Sequence, residues 1–351
     1  MSAPMIDDLK QLAHDAPAAT WPFTAIATIL FFMRTFSRVR LQKDSFGWDD
    51  AVITVSWAIS ISGAAFFQIS VNRTHQVIAD PTTPSKVSPA AFWALFTAAW
   101  GYVTVALPKL VVGILICRLF RPKPWLRTTI MTYCVIFNII SLLALIFSFT
   151  QCSPVAGQWD PFNHPDVHCW NKNVQLTVTS ISCVLSAITD IAFTLYPAFI
   201  IWKLKMPTWT KVGAISLMSL GLASFALAIV KLYAIFMLAN SSQNGGGVYG
   251  TLYWCIDMIL WSRLESDFVI SAACLPAAPP CFRVVKRMVT GAGTEPAYPT
   301  YKNFSRSYKS SPRSRTHKDP DALELNPKDE HPGDDWGIKV GTEITTTYNY
   351  L

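Results

Sequence analysis

Charge is scarce in this chain. Of its 351 residues only 15% are Asp, Glu, Lys or Arg, while 51% are hydrophobic, and a water-soluble protein of this length carries far more surface charge. A soluble globule is therefore excluded. The charge present leans positive, 29 Lys and Arg against 22 Asp and Glu for a formal +7. A nucleic-acid binder gathers such an excess on one polar domain; here it falls between apolar runs, so no nucleic-acid partner is expected. Cysteine is sparse too. Eight residues without a Cys-x-x-Cys pair fit neither a disulfide scaffold nor a standard zinc site, and no metal or other cofactor is read from the sequence. A cleaved leader is not expected either, because the first twenty residues hold Lys10, three acids and no apolar core.

Long apolar runs are what the chain has in abundance. A helix crossing hydrocarbon needs about 20 apolar residues, since each adds about 1.5 Å and every backbone amide must be satisfied within the segment. Ala51 to Val71 and Thr128 to Thr150 contain no charge. Pro89 to Cys117, Val174 to Ile201 and Val212 to Leu238 contain one each, Lys109, Asp190 and Lys231. Ala16 to Met33 adds a shorter uncharged span followed by Arg34, which is expected to snorkel toward the headgroups. The last run, Val248 to Phe282, carries Asp257, Arg263, Glu265 and Asp267, and the uncharged remainder after them, Phe268 to Phe282, is only 15 residues. It reads as a helix whose charges shelter inside a bundle; a re-entrant segment, with six spans, is the alternative. The fold expected is all-α and polytopic. An outer segment, 1–15, leads into a seven-helix transmembrane domain, 16–282, and a disordered cytosolic tail, 283–351.

Basic residues set the orientation. Fourteen Lys and Arg follow spans one, three, five and seven, among them Arg34, Arg38 and Arg118, against four on the other side, Lys10, Arg73, Lys86 and Lys172. This places the N-terminus outside or in the lumen and the C-terminus in the cytosol. The acceptor triplets at Asn72 and Asn240 then fall in outer loops, as glycosylation requires. Trp21, Trp125 and Trp170 mark span ends as an interfacial belt. Cys152 and Cys169, 17 apart in one outer loop, suggest a disulfide on the oxidising side; a metal site with His164 and His168 is the other reading. The tail divides into a basic stretch, Arg283 to Lys318, and an acidic one, Asp319 to Leu351. The basic stretch would be drawn to an anionic leaflet; an ordinary continuation of the positive-inside bias is the other reading.

Ionisable groups in hydrocarbon are expensive and point to function. Counted from the cytosolic ends, Lys109, Asp190 and Glu265 lie within about one helical turn of a common depth, so Lys109 is expected to pair with either acid. The cluster reads either as a polar clamp fixing helix packing or as a ligand or proton site. Lys231 lies nearer the outer face and is expected to snorkel or to partner Asp257. Arg263 and Asp267, four apart, are expected to pair on one helix face. Pro108 and Pro197 remove backbone bonds inside spans three and five, where kinks would open a cavity beside the cluster.

Several short motifs occur in order. Gly47-Trp48-Asp49-Asp50 opens span two, and Pro108-Lys109 runs to Cys117-Arg118-Leu119-Phe120 in span three. Gln151-Cys152-Ser153-Pro154 precedes Trp159-Asp160. Asp190 to Pro197 is followed by Trp202 to Pro207, and Glu265 by Ala273-Cys274-Leu275-Pro276. Together, over roughly Trp21 to Lys286, these resemble the fungal rhodopsin-domain integral membrane proteins, a family with members encoded in mycotoxin biosynthetic clusters such as that for satratoxin. The resemblance implies seven helices with the N-terminus outside, and favours a membrane-embedded or accessory role in secondary metabolism; a lipophilic intermediate or ligand held between the helices is the partner expected on that role. Lys231 stands where the family tends to have Arg, keeping the charge without the planar fork. A retinal Schiff base needs a lysine in the last helix, and Val248 to Phe282 has none. A G-protein-coupled surface sensor is the alternative function, resting on helix count alone. A transporter is disfavoured for want of an inverted repeat. Enzyme status and any cytosolic partner stay open.

Overall fold

The computed structural model describes residues 3–41, 47–80, 84–160, 163, 166–203, 208–243 and 247–275. They belong to one compact unit, Met1–Thr294. The tail expected at 283–351, with its basic and acidic halves, lies outside the described residues. So does His164.

Seven helices follow the seven apolar runs in order: α1 Ala3–Phe36, α2 Trp48–Ala79, α3 Pro84–Phe120, α4 Pro124–Thr150, α5 Lys172–Lys203, α6 Thr208–Gln243 and α7 Gly247–Cys274. The protein is a multi-pass membrane protein of the seven-helix type. The helices run 27 to 37 residues, roughly 40 to 55 Å, well beyond the roughly 30 Å of hydrocarbon. Backbone hydrogen bonding thus continues past the charge-free segments. Residues 3–15, expected as a segment outside the bundle, are the first turns of α1, and Leu9 and Ala13 are buried against Val71 and Val77 of α2. Asn72 and Asn240, expected in loops, lie on the closing turns of α2 and α6 for the same reason.

Helix boundaries have local causes. The α2 start is fixed by Gly47, whose N–H is accepted by Asp50 Oδ2 at 3.4 Å while its carbonyl receives the Asp50 N–H at 2.9 Å. Pro124 opens α4, where the missing N–H goes unused. Helices α3 and α5 run unbroken through Pro108 and Pro197. The buried residues of α4, Cys134, Phe137, Ser141, Ala144 and Ser148, recur at steps of three and four and form one narrow seam. Small residues there let the backbone approach its neighbours, while Ile139, Leu142 and Ile146 face outward.

α7 falls short of the apolar composition of the other six because it lies inside the bundle. It packs on α1, α2, α3 and α6, and from Arg263 to Cys274 every side chain except that of Phe268 is buried. Arg263, Glu265 and Asp267, three of the four charges that made this span doubtful, are thus placed against other helices, not lipid.

Between α4 and α5 a short antiparallel hairpin pairs β1, Cys152–Ser153, with β2, His168–Cys169. A disulfide joins Cys152 to Cys169, so both sulfurs expected in either a bond or a metal site are in the bond. Trp159 packs edge-on against Phe92 of α3 at 5.1 Å, seating the hairpin on the bundle. Gly157 sits where a Cβ would stand 1.7 Å from Val167 Cγ2. Gly157→Ala is expected to destabilise the hairpin by about 1–3 kcal/mol through overpacking, read as a lower thermal midpoint of the detergent-solubilised protein.

Candidate functional site

The bundle centre holds a closed ionic cluster assembled from four helices. Lys109 follows Pro108 on α3, Asp190 and Ser186 lie one turn apart on α5, Lys231 and Ser224 share a face of α6, and Glu265 lies on α7. Lys109 Nζ is 2.8 Å from Asp190 Oδ1 and 2.9 Å from Glu265 Oε1. It also donates to Ser186 Oγ at 2.6 Å and to the Ser186 carbonyl at 2.9 Å. The Ser186 hydroxyl donates onward to Glu265 Oε1 at 2.5 Å, and Lys231 Nζ donates to Glu265 Oε2. Ser224 Oγ donates to Asp190 Oδ2 at 2.9 Å. Lys109 and Glu265 are 1% and 0% exposed. Two cations and two anions sum to zero, and each carboxylate oxygen has a donor, which is what burial of charge demands.

Four of the five expected cluster residues, Lys109, Asp190, Glu265 and Lys231, therefore meet. Asp257 does not. Lys231, expected to snorkel or reach Asp257, turns inward to Glu265, and Asp257 Oδ1 instead accepts the Trp261 indole N–H one turn along α7 at 3.0 Å. The physical reason is distance along the axis: Asp257 and Glu265 stand eight residues apart on α7, about 12 Å, and Lys231 reaches Glu265. Ser186 and Ser224 were not anticipated. Their signal in the sequence is spacing alone, since Ser186 stands four before Asp190 on the same helix face.

A second cluster ties α7 to α1 and α2. Arg263 Nη2 and Asp267 Oδ1 are 3.5 Å apart. Asp267 also accepts from Thr24 at 2.6 Å and from Ser60 at 3.4 Å.

The third cluster, at the bundle end opposite the disulfide, overturns the expectation for Arg34. Its side chain is 1% exposed and does not snorkel. Nη1 donates to the Ala273 carbonyl at 2.9 Å, and Nη2 reaches Asp49 Oδ2 at 3.2 Å and Asp50 Oδ1 at 3.1 Å. Arg118 adds contacts of 2.8 and 2.9 Å to Asp49, and Arg38 stands 3.7 and 3.8 Å from the same two acids. The motif opening α2 is thus an anion pair that binds arginines from the α1 end and from α3. Arg34 and Arg38, four apart and followed eleven residues on by Asp49-Asp50, were the legible sign of it.

The enclosed cavities are small. One of about 30 Å³ borders Lys231 and Ser186; another of about 20 Å³ borders Asp190 and Ser224. A wider groove of about 650 Å³ lies on the outward face of α5, lined by Leu176, Ile181, Val184 and Leu185 among others, with Ala239 of α6.

Long apolar helices around paired internal charges define a polytopic helical membrane protein. The chain belongs to the fungal rhodopsin domain family, whose model matches residues 33–284. It is 27% identical over 330 residues, 90% of this chain and 77% of the other, to Fugralins biosynthesis cluster protein 2 of Gibberella zeae. No solved structure matches it.

Proposed function

We propose that the chain is a membrane-embedded participant in a fungal specialised-metabolite pathway, with the Lys109–Asp190–Glu265–Lys231 cluster as its functional centre. The observation that carries this is the similarity, along nine-tenths of the chain, to a protein named for a biosynthesis cluster. The orientation on this reading has the N-terminus outside or in the lumen and the C-terminus in the cytosol. Supporting it are the fourteen basic residues against four and the disulfide at the opposite end, where an oxidising compartment belongs.

Within the cluster the two acids are unequal. Glu265 is held by two lysines and a serine, whereas Asp190 has one lysine and one serine. Asp190, with fewer donors, is therefore the group suited to exchange a proton, by way of Lys109 and Ser186, which borders the cavity of about 30 Å³. The lipophilic partner on this reading arrives from the bilayer: the internal cavities have room for about one or two waters each, while the groove on α5 has the volume of a small molecule.

Deletion of the gene followed by metabolite profiling tests the role. Loss of one product with build-up of its precursor supports it, and an unchanged profile with altered signalling would favour the surface sensor. Asp190→Asn then tests the site. General acid–base catalysis contributes about 10²–10⁴-fold, so conversion in a normally expressed variant is expected to fall at least about tenfold; a wild-type profile would remove Asp190 from the chemistry.

A further inference from the structure

One face of α5 carries Gln175, Thr179, Ser182, Ser186 and Asp190, at steps of three and four that align them along the helix. Apolar residues of the same helix, Ile181, Val184 and Ile188, face outward. The polar stripe meets hydroxyls from two other helices. Tyr102 of α3 and Thr179 share a hydrogen bond of 2.7 Å, and Gln175 Nε2 donates to Ser148 Oγ of α4 at 2.8 Å. From the hairpin, Gln158 Nε2 donates to the Ser148 carbonyl at 2.9 Å. The stripe ends at the cavity of about 30 Å³, which Ser141, Ser182, Ser186 and Lys231 help to line.

Three buried oxygens along this seam have no partner among the described residues: Gln158 Oε1, Gln175 Oε1 and Ser141 Oγ. Ser141 is 1% exposed and borders the cavity. Each such group is destabilising if nothing satisfies it. The cavity has room for about two waters and offers each of them several polar partners. The opposite side of the cluster differs. The cavity beside Asp190 and Ser224 is otherwise walled by Val112, Phe193, Leu217, Leu220 and Val269, with Gly221 and Ala272, and offers a water little to bind.

We infer that the seam between α3, α4 and α5 is a water-binding track, opening at the disulfide-bearing end and leading to the Lys231–Glu265 pair, while the Asp190 side is dry. The ligand is water, and with it the proton. The ionic cluster thereby exchanges protons with one side of the membrane only. This asymmetry holds whether the chain serves a pathway or a sensor.

Radiolytic hydroxyl labelling of the intact protein in lipid nanodiscs, with ¹⁸O water as the probe, tests it. Phe137 lines the chamber, and Phe31 and Phe67 do not; all three are equally buried, at 2%, 3% and 2% exposed. Bound water beside Phe137 is expected to raise its labelling at least about tenfold over the other two. Equal labelling of the three would overturn the track, and because the wild-type chain is used no variant need fold. For the direction, Gln175→Leu is expected to slow ¹⁸O incorporation at Phe137 after rapid mixing, and Leu220→Ala to leave it unchanged. Slowing absent in the first variant would overturn entry from the disulfide-bearing end.

Discussion

Glu265→Gln is expected to remove much of the stability of the bundle. The wild-type cluster is neutral; without the Glu265 charge, Lys109 keeps Asp190 but Lys231 loses the carboxylate it is bonded to in the middle of the helices. Removing one partner of a buried ion pair costs about 3–5 kcal/mol because the other charge stays desolvated and uncompensated, a large share of the roughly 5–15 kcal/mol that holds a domain together. The readout is the thermal midpoint of the detergent-solubilised protein, followed by size-exclusion chromatography. The double variant Glu265→Gln, Lys231→Met restores neutrality with a side chain of similar length, and is expected to regain most of the loss. A double variant no more stable than Glu265→Gln alone would show that the two residues do not act as a pair.

Arg34→Met should be nearly as damaging, and it separates two pictures of the same residue. A snorkelling arginine contributes little, whereas the buried one caps the Ala273 carbonyl near the end of α7 and bridges Asp49 to Asp50. Hydrogen bonds to charged groups are each worth about 1.5–3 kcal/mol, so a loss of about 3–5 kcal/mol is expected from the same measurement. Arg34→Lys keeps the charge but loses the fork that reaches three acceptors at once. It is expected to recover less than half of the loss. Full recovery by lysine would mean that charge alone matters at this position.

The helices were legible because hydrophobic length is a one-dimensional property: each apolar run of the sequence became a helix in the same order. Their ends were not, since polar residues such as Asn72 continue a helix as readily as they start a loop once the backbone has left the hydrocarbon. Depth was legible as well, which is why Lys109, Asp190 and Glu265 could be expected to meet. The reach of a long side chain along the axis was not. Lys231 bonds to Glu265, about two turns along α7 from Asp257, which accepts the Trp261 indole N–H instead. Serines escaped notice because a hydroxyl can bond to its own helix backbone and so occurs anywhere along a span; only its spacing from Asp190 marks Ser186 for the three bonds it makes at the centre.

The balance of the central cluster has an electrical consequence. Moving one elementary charge through 100 mV of membrane potential takes about 2.3 kcal/mol, but two lysines and two acids carried together do no net work against the field. A helix shift that keeps the four residues joined is therefore blind to voltage.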